Sequence, residues 1–387
     1  MKQRSIKEIN EYKSRSINPR KEPRTVFEMY SVPAYSTGHP EYLKGEQIAS
    51  NKVIVKKNDI LLCKINPRIN RVWIVQDESD KLNIASSEWI VIRTKKYNPE
   101  YLAWYFQSPK FKQLMTSEVT GIGGSLTRAQ PKRVANYPVP EITRDKQDEI
   151  AKKLSILSNS IQKRKDEIRL LEELVKARFV EMFGDPIINS NGIKTLPMTE
   201  VCKIIDGDRG KNYPTSDEFS EDGYCLFLNA KNVTSMGFNF DNCMFITKHK
   251  DKVLKKGKLS RGDVVLTTRG TLGNLAFYTD DVPFDNIRIN SGMVILRMKH
   301  ELIDEIYFIE QFKIQLDDIK KKIASGSAQP QLPISTMNKI QILIPDISRQ
   351  KEFASFVQQV DKSKVVIQKS IDKTQMLFDS LMQEYFS

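Results

Sequence analysis

Residues 150–182 read IAKKLSILSNSIQKRKDEIRLLEELVKARFVEM, and residues 353–385 read FASFVQQVDKSKVVIQKSIDKTQMLFDSLMQEY. In both stretches a mostly apolar stripe steps by four and three residues, from Ile150 to Met182 and from Phe353 to Tyr385. A heptad stripe of this kind is typical of helices that pack along a shared seam. Every stripe position in the first stretch has a counterpart 203 residues later. The sequence therefore predicts two long helices of the same length.

Polar residues interrupt this stripe at Arg164, Arg178, Lys364 and Thr374. Polar seam residues can set the register of a helix pair or face partner subunits. They can equally extend their charged ends to the surface of the coil. The pattern alone leaves both interpretations open.

The segments that precede each helix also repeat. The matched segments, in chain order, are 58–62 with 262–266, 87–93 with 291–297, 124–125 with 326–327, and 139–142 with 344–347. Their common order predicts a duplicated chain organised as globule, helix, globule, helix. A period of about 200 residues is far longer than the units of a solenoid.

Charge is distributed unevenly along the 387 residues. Residues 1–147 contain 26 Lys and Arg against 15 Asp and Glu, which leaves only +2 of the net +13 for the rest of the chain. A basic excess attracts polyanions, although it can also serve solubility alone. Nothing in the sequence is typical of a basic amphipathic membrane helix, so nucleic acid is the favoured partner.

Membrane and secretory classes are not indicated. No run of about 18 apolar residues is present, and the first residues, MKQRSIKEINEYKSRS, are basic and polar. We therefore expect a cytoplasmic protein.

Motifs for catalysis and metal binding are missing. The sequence contains no phosphate-binding GxxxxGK[ST], no GxSxG and no HExxH motif. We interpret Gly121–Gly124 as a loop rather than a cofactor cradle, and Pro345-Asp346 as a turn into a helix rather than a nuclease carboxylate. The cysteines and histidines are dispersed, which predicts free, largely buried thiols and no zinc site: Cys63, Cys202, Cys225, Cys243, His39, His249 and His300.

Each globule reads as a mixture of strands and helix. β-branched and aromatic runs predict strands at 52–55, 60–64, 71–75 and 89–93, and again at 224–228, 263–267, 275–278 and 293–297. Helical stretches are predicted at 99–115 and 301–322. Strands and helices do not alternate as they do in a parallel α/β sheet.

A cationic turn follows the same predicted strand in both globules. The first turn is Cys63–Arg71 (CKINPRINR), and the second is Thr267–Asn274 (TTRGTLGN). Arg and Lys can contact guanine and phosphate, and Asn can pair with adenine. An ordinary hairpin with solvated charges would look similar, but the duplication favours a DNA-reading role.

The tandem order of these features resembles the specificity subunit of type I restriction-modification systems. The resemblance rests on LLCKINPRINRVW at 61–73, VVLTTRGTLGNLAF at 264–277, a Gly/Ser loop before each Pro-Glu/Asp-Ile junction, and RFVEMFGD at 178–185. It covers essentially the whole chain. It implies an α+β fold of two similar mixed α/β recognition globules separated by two long antiparallel coiled-coil helices, with a pseudo-twofold internal repeat.

The same resemblance implies four regions and a non-catalytic role. Recognition domain 1 would span 1–146, spacer helix 1 147–183, recognition domain 2 184–346, and spacer helix 2 347–387. Partners would be double-stranded DNA, two methyltransferase subunits and, in some complexes, restriction subunits, which would carry S-adenosylmethionine, ATP and magnesium. In this sequence the first domain looks shorter, and the opening strand of the second domain, 193–201, has no evident mate.

The candidate DNA-binding residues follow from the two turns and their surroundings. Base-reading candidates are Lys64, Asn66, Arg68 and Arg71 in the first domain and Arg269, Thr271 and Asn274 in the second. Second-rank candidates are Tyr35, Ser36, Asn229 and Lys231, and the basic loop with Arg128, Lys132 and Arg133 is expected to hold phosphates.

The predicted helices would act as a ruler. A helix of some 37 residues is roughly 55 Å long at about 1.5 Å per residue, which would fix the unread gap between two half-sites. Two other classes remain open: a stand-alone enzyme such as a nuclease, and a coiled-coil scaffold that binds DNA without sequence specificity.

Overall fold

Two helices of 40 residues each, Arg144–Phe183 and Ile347–Phe386, connect the folded parts of the chain. The computed structural model describes residues 2–117, 119–120, 127–324 and 331–387. The chain forms two compact units: unit 1 contains Met1–Asp166 and Gln368–Ser387, and unit 2 contains Glu167–Ile367. Each long helix therefore contributes one part to each unit. The first helix begins three residues before the predicted start at 147.

Unit 1 combines short strands with four short helices and parts of both long helices, within the described residues. Its strands are β1 (Gln3–Ser5), β2 (Ser16–Ile17), β3 (Val26–Tyr30), β4 (Glu41–Lys44), β5 (Lys52–Ile54), β6 (Ile60–Cys63), β7 (Val72–Ile74), β8 (Leu82–Ala85), β9 (Trp89–Ile92), β10 (Val119–Thr120), β11 (Arg128–Ala129) and β12 (Pro138–Pro140). Its helices are α1 (Ile6–Ile9), α2 (Pro99–Gln107), α3 (Pro109–Ser117), α4 (Pro131–Val134), the start of α5 (Arg144–Phe183) and the end of α10 (Ile347–Phe386). The predicted helix 99–115 is wrong as a single element, because Pro109 lacks the N–H needed to continue α2 and disfavours helical geometry at Ser108.

The strands of unit 1 form two main sheets. One has the order β7-β6-β9 and is antiparallel throughout. The other has the order β2-β5-β8-β3-β4, in which β3 and β8 are parallel. Separately, β1 pairs with β12 immediately before the long helix.

Unit 2 repeats this plan with some additions. Its strands are β13 (Thr195–Pro197), β14 (Cys202–Asp206), β15 (Cys225–Leu228), β16 (Val233–Thr234), β17 (Gly237–Phe238), β18 (Phe245–Ile246), β19 (Asp263–Thr267), β20 (Leu275–Phe277), β21 (Ile287–Ile289), β22 (Met293–Met298) and β23 (Gln341–Leu343). Its helices are the end of α5 together with α6 (Met198–Val201), α7 (Lys248–Val253), α8 (Glu305–Ala324), α9 (Ile334–Met337) and the start of α10 (Ile347–Phe386).

The sheets of unit 2 correspond to those of unit 1. The order β14-β22-β19-β20 contains the counterpart of β9-β6-β7, and β18-β15-β21 contains a parallel pair, β15 with β21, that matches β3 with β8. All eight strands predicted from β-branched and aromatic runs are present, with ends shifted by at most one residue. The mixed α/β fold predicted from the sequence is confirmed.

The opening of unit 2 corrects one sequence interpretation. The predicted strand 193–201 is a short strand, β13, followed by a turn of helix, α6, and it has a mate after all. Unit 1 begins with β1 followed by α1, and β1 pairs with β12 as β13 pairs with β23. The mate escaped detection because the strands share little sequence and their common feature is a partner more than 100 residues away.

A buried carboxylate is repeated in the two units. Asp59 accepts two hydrogen bonds of 2.6 Å from the Arg93 guanidinium, and Asp263 accepts two of 2.8 Å from Arg297. These hydrogen bonds raise the pKa of both arginines. The residue before each carboxylate, Asn58 or Gly262, has a positive φ, which explains why these residue types stand there. The matched segments at 58–62 and 262–266 therefore reflect a shared structure.

A buried glutamine joins each long helix to its globule. Gln147 donates to the Ile142 carbonyl at 3.0 Å and accepts from the Asn98 N–H at 2.8 Å, at the start of α2. Gln350 donates to the Pro345 carbonyl at 2.8 Å and accepts from the Asp304 N–H at 2.9 Å, at the start of α8. The two glutamines thus perform the same task in each unit.

In unit 1, the two long helices run antiparallel. The Tyr385 phenol lies against Lys153, and Arg164 donates to the Thr374 hydroxyl at 2.9 Å. The end of α10 completes the core, since Phe386 is buried with its ring 5.6 Å from the ring of Tyr101. Unit 1 therefore includes a segment that follows its globule by some 200 residues.

In unit 2, the long helices are also antiparallel and the end of α5 has the equivalent place. The Phe179 and Phe183 rings lie 5.4 and 5.7 Å from that of Phe353. The Arg178 guanidinium lies 3.6 Å from the Glu352 carboxylate across the two helices. Of the open interpretations of the polar seam residues, the cross-helix contacts of Arg164 and Arg178 favour setting the register. Among the residues that the structure describes, the ion pair of Lys364 is with Asp361 on its own helix.

A buried ionic cluster fixes α7 onto unit 2. Asp251 accepts hydrogen bonds of 2.6 Å from Arg288 and 2.7 Å from Lys258. Burial opposes ionisation of Asp251, but these hydrogen bonds outweigh it and lower its pKa below the ordinary 3.8. Arg288 also donates to the carbonyls of α7 and its following turn, so one guanidinium holds the helix in place.

The cysteines match the prediction of free thiols: Cys63, Cys202 and Cys225 are buried and Cys243 is half-buried. Burial raises the pKa of the Cys225 thiol to about 12. The predicted loop 121–124 and the Gly/Ser segments 124–125 and 326–327 lie outside the described residues.

Candidate nucleic-acid interface

Backbone hydrogen bonds join the predicted DNA-reading turn of unit 1, residues 63–71, to two neighbouring segments. The Lys64 N–H donates to the Glu88 carbonyl at 3.1 Å, and the Ala129 N–H donates to the Lys64 carbonyl at 2.8 Å. The Asn66 N–H donates to the Thr127 carbonyl at 2.8 Å. These bonds join the turn after β6, the turn before β9 and strand β11 into one surface, which we call the platform of unit 1.

The predicted turn of unit 2 is held by the same two bonds. The Thr268 N–H donates to the Gly292 carbonyl at 2.9 Å, and the Leu332 N–H donates to the Thr268 carbonyl at 3.1 Å. A further bond repeats as well: Ser86 donates its N–H to the Tyr30 carbonyl, and Asn290 donates to the Leu228 carbonyl. The loops after β3 and β15 thus lie at the same edge in their units.

Three of the first-rank candidates in unit 1 are partly committed to internal contacts. Lys64 donates to the Ser87 carbonyl at 2.7 Å and lies 3.8 Å from the Glu88 carboxylate. Arg71 contacts the Cys63 thiol; burial raises the pKa of this thiol, and Arg71 partly offsets the rise. Asn66 has a left-handed backbone, with φ of 48°, which suits the turn. Arg68 stands exposed at the tip of this turn.

The other unit 1 candidates differ in whether their side chains are free to contact DNA. The Tyr35 ring packs edge-on at 5.8 Å from Trp73 and lies 6.2 Å from Trp89, so it belongs to an aromatic cluster. Ser36 is exposed, with its hydroxyl donating to the Pro33 carbonyl at 3.0 Å. Lys132 and Arg133 are exposed on the short helix α4, two residues beyond β11.

In unit 2, Arg269 and Thr271 are exposed, whereas Asn274 is held in the fold. The Asn274 side chain donates to the Val233 carbonyl at 2.9 Å, which ties the turn to the β16–β17 hairpin. Lys231 is exposed next to Asn229, whose side chain accepts from the Lys231 N–H at 2.9 Å. Asn229 and Asn274 therefore shape the loops that carry the exposed groups.

Sequence reasoning missed Arg209, which lies at the same turn. Its guanidinium lies 3.1 Å from the Asp206 carboxylate and donates to the Ser291 carbonyl at 3.3 Å. Next to it, burial raises the pKa of Asp208, but three backbone N–H groups outweigh this effect and lower it. The sequence does contain a hint of this residue, because the run DGDRGK at 206–211 places a cation between two glycines after a predicted strand. The run has no counterpart in the first half of the chain.

The described part of the chain contains no group of three or more His, Cys, Asp or Glu side chains arranged to hold a metal ion. Among the same residues, no helix is both long and apolar enough to cross a membrane.

Known proteins share both sequence and fold with this chain. The family model described as "Type I restriction modification DNA specificity domain" matches residues 1–172 and again 191–374. The fold is similar to a crystal structure of a type I restriction-modification system S subunit from M. genitalium, with a TM-score of 0.58 at 14% identity, covering 100% of this chain and 96% of that chain.

A second similar structure belongs to a study titled "Structural basis underlying complex assembly and conformational transition of the type I R-M system". It has a TM-score of 0.50 at 18% identity, over 100% of this chain and 97% of that one. The double family match spans most of the chain, and the two matches fall on the two repeated halves. The chain belongs to the family of type I restriction-modification DNA specificity subunits.

Proposed function

We propose that this chain is the non-catalytic specificity subunit of a type I restriction-modification complex, in which unit 1 and unit 2 each read one half of a bipartite, gapped DNA site. The observation that carries the proposal is the duplicated platform. The same two backbone hydrogen bonds hold the turn after β6 in unit 1 and the turn after β19 in unit 2. Two similar platforms in one chain suit two half-sites better than one continuous site.

The exposed groups on the platforms have the chemistry that DNA requires. Arg68 and Lys132 in unit 1, and Lys231 and Arg269 in unit 2, are exposed and make no ion pair with another described residue. Such cations neutralise phosphates and make binding salt-dependent. Lys64, Asn66, Arg71, Arg128, Arg133, Ser36 and Thr271 complete the proposed interface. Asn229, Asn274 and Tyr35 support it through their internal contacts.

The long helices are proposed to set the gap between the half-sites. A helix of 40 residues is about 60 Å long at about 1.5 Å per residue. Such a helix changes length only in steps of whole residues, so the spacing it imposes is a fixed property of the chain.

In this proposal the chemistry belongs to partner subunits. Two methyltransferase subunits would use S-adenosylmethionine to methylate adenines, and restriction subunits would use ATP and magnesium to translocate and cleave. The specificity chain would supply the target sequence and bind no cofactor of its own.

A domain swap tests whether each unit recognises its own half-site independently. Residues 1–146 are replaced with those of a relative that has a different target, and adenine methylation is mapped in cells that also carry the methyltransferase subunits. We expect one half-site to change while the other half-site and the gap stay the same.

Changes in both half-sites would contradict the proposal. Methylation without any sequence preference would instead support a non-specific scaffold. Cleavage of DNA by the isolated chain with magnesium would support an enzyme.

A further inference from the structure

Two arginines at the platforms differ from the exposed cations Arg68, Lys132, Lys231 and Arg269 because each of the two donates a hydrogen bond to a carboxylate. In unit 1, the Arg128 Nη2 donates to the Glu88 Oε1 at 3.2 Å. In unit 2, the Arg209 Nη2 donates to the Asp206 Oδ1 at 3.1 Å. Both guanidinium groups are about half exposed, and both carboxylates are about a quarter exposed.

The two pairs lie at equivalent turns although the arginines come from different parts of their units. Glu88 is itself in the turn before β9, and Arg128 lies on β11 beside Ile65 of the reading turn. Arg209 follows β14 and donates to the Ser291 carbonyl in the corresponding turn before β22. This carbonyl matches that of Ser87, which binds Lys64 in unit 1. The pairs were therefore not copied by the duplication, but they occupy the same place.

Surface ion pairs of this kind add little to the stability of the fold, which points to a role in binding instead. A carboxylate at a DNA-binding face repels phosphates and cancels the charge of its arginine. Such a pair is therefore a poor phosphate contact. It does, however, restrict the orientation of the guanidinium, and a restricted orientation favours the two-point recognition of guanine O6 and N7.

Enough donors remain for this contact. A guanidinium has five N–H groups. Arg128 gives one to Glu88, and Arg209 gives its Nη2 hydrogens to Asp206 and, over a long 3.3 Å, to Ser291. Nε and Nη1 of both arginines have no hydrogen-bond partner among the described residues, and a two-point contact combines one of them with Nη2. Arg128 keeps a second Nη2 hydrogen for this contact. In Arg209, guanine would take the place of the long 3.3 Å bond from Nη2 to the Ser291 carbonyl.

Resting on the proposed function, we propose that Arg128 and Arg209 are the guanine-reading residues of the first and second half-sites, each oriented by its carboxylate. The exposed cations without a carboxylate partner, such as Arg68 and Arg269, then contact phosphates. This assignment changes the role expected for Arg128 from its basic sequence surroundings. It also adds Arg209 to the interface.

The test uses the complex of the full chain with its methyltransferase subunits. Its target is first selected from a pool of duplexes with randomised sequence. Affinity is then measured for that target and for every single-base-pair substitution of it, at two or more salt concentrations. The variants are R209K and D206N in unit 2, and R128K and E88Q in unit 1.

The arginine-to-lysine changes keep the charge and remove the planar fork. We expect wild type to prefer guanine at one position in each half-site by about 5- to 150-fold. R209K and D206N should lose most of this preference at a single position of one half-site, and R128K and E88Q at a single position of the other. R209K and R128K should keep the salt dependence of wild type, because they keep the charge.

Matched controls come from neighbouring exposed lysines. K211A and K132A should weaken binding to all duplexes alike and reduce the salt slope by about one, because each removes a single phosphate contact. Thermal unfolding of each variant, monitored by circular dichroism, separates loss of contact from loss of fold.

The possible outcomes separate the two proposals. If wild type selects a gapped site but R209K and R128K keep every base preference, or lose affinity for all duplexes alike, the guanine assignment is wrong while the proposed function stands. If wild type selects no sequence at all, the proposed function fails and the guanine assignment fails with it.

Discussion

Gln350 offers the sharpest test of how the long helices are joined to the globules. It is fully buried in the first turn of α10. Its amide nitrogen donates to the Pro345 and Leu302 carbonyls at 2.8 and 3.2 Å, and its oxygen accepts from the Asp304 N–H at 2.9 Å. The substitution Q350E keeps the size and the acceptor but replaces the donor with a carboxylate oxygen.

The cost of Q350E can be worked out from these contacts. Two buried carbonyls lose their donor, and each unsatisfied buried group costs about 1–3 kcal/mol. A buried carboxylate facing them adds to this, so we expect unit 2 to lose roughly 3–5 kcal/mol, a large share of the roughly 5–15 kcal/mol of a typical domain. For a domain of this size the midpoint of unfolding falls by about 2–4 °C per kcal/mol, which gives a decrease of about 10 °C.

The measurement is calorimetry of the full chain at about pH 7 and about pH 5. Burial raises the pKa of the introduced carboxyl. Its protonated form can donate again, so the penalty is smallest at low pH and grows as pH rises through this raised pKa.

Q358E is the matched control, with the same charge change at an exposed position of the same helix. If Q350E and Q358E unfold within about 2 °C of each other at neutral pH, the hydrogen bonds of Gln350 do not stabilise unit 2 by the expected amount of roughly 3–5 kcal/mol.

Three further changes probe other parts of the chain. D251N leaves the buried Arg288 without its carboxylate and should lower the unfolding free energy of unit 2 by about 3–5 kcal/mol at neutral pH. Because the folded pKa of Asp251 lies below 3.8, the stability that its carboxylate provides is present above pH 3.8 and is lost as pH falls through the folded pKa. Urea unfolding should therefore show the variant approaching wild type in acid. F386A empties an aromatic site in the core of unit 1 and should lower its unfolding free energy by about 3–5 kcal/mol, measured by urea unfolding beside the exposed change V366A. Deletion of residues 161–167 together with 371–377 removes one heptad from each helix, or about 10.5 Å at 1.5 Å per residue, and methylation mapping should show the gap shortened by about three base pairs at 3.4 Å per step; an unchanged gap would contradict the ruler.

Local patterns were sufficient to predict the elements whose signal lies within them. The four strands at 52–55, 60–64, 71–75 and 89–93 are runs of β-branched and aromatic residues, and each is present. The long helices could be predicted because a heptad stripe repeats over more than thirty residues. The duplication was legible because Asp59 and Asp263 keep their arginine partners, and with them the surrounding sequence.

What could not be predicted depends on partners distant in the chain. The parallel pairing of β3 with β8 leaves no periodic signal, and neither does the pairing of β1 with β12. Asn274 was chosen as a base reader for its amide, but that amide is used 41 residues away on Val233. Arg209 was overlooked because the carbonyl it binds lies 82 residues along the chain. Residue type indicates which chemistry is possible, and the fold decides which groups remain free for it.

The placement of residues 368–387 in unit 1 bears on how the protein is made. A ribosome that has completed residues 1–166 must still synthesise residues 167–367 before the final segment of that unit exists. At about 5–20 residues per second, this delay is on the order of 10–40 s. During that interval the surface awaiting Met382 and Phe386 is uncovered on the nascent chain. A stop codon directly after residue 367 would therefore leave unit 1 without its last segment, whereas unit 2 would already have all of its residues.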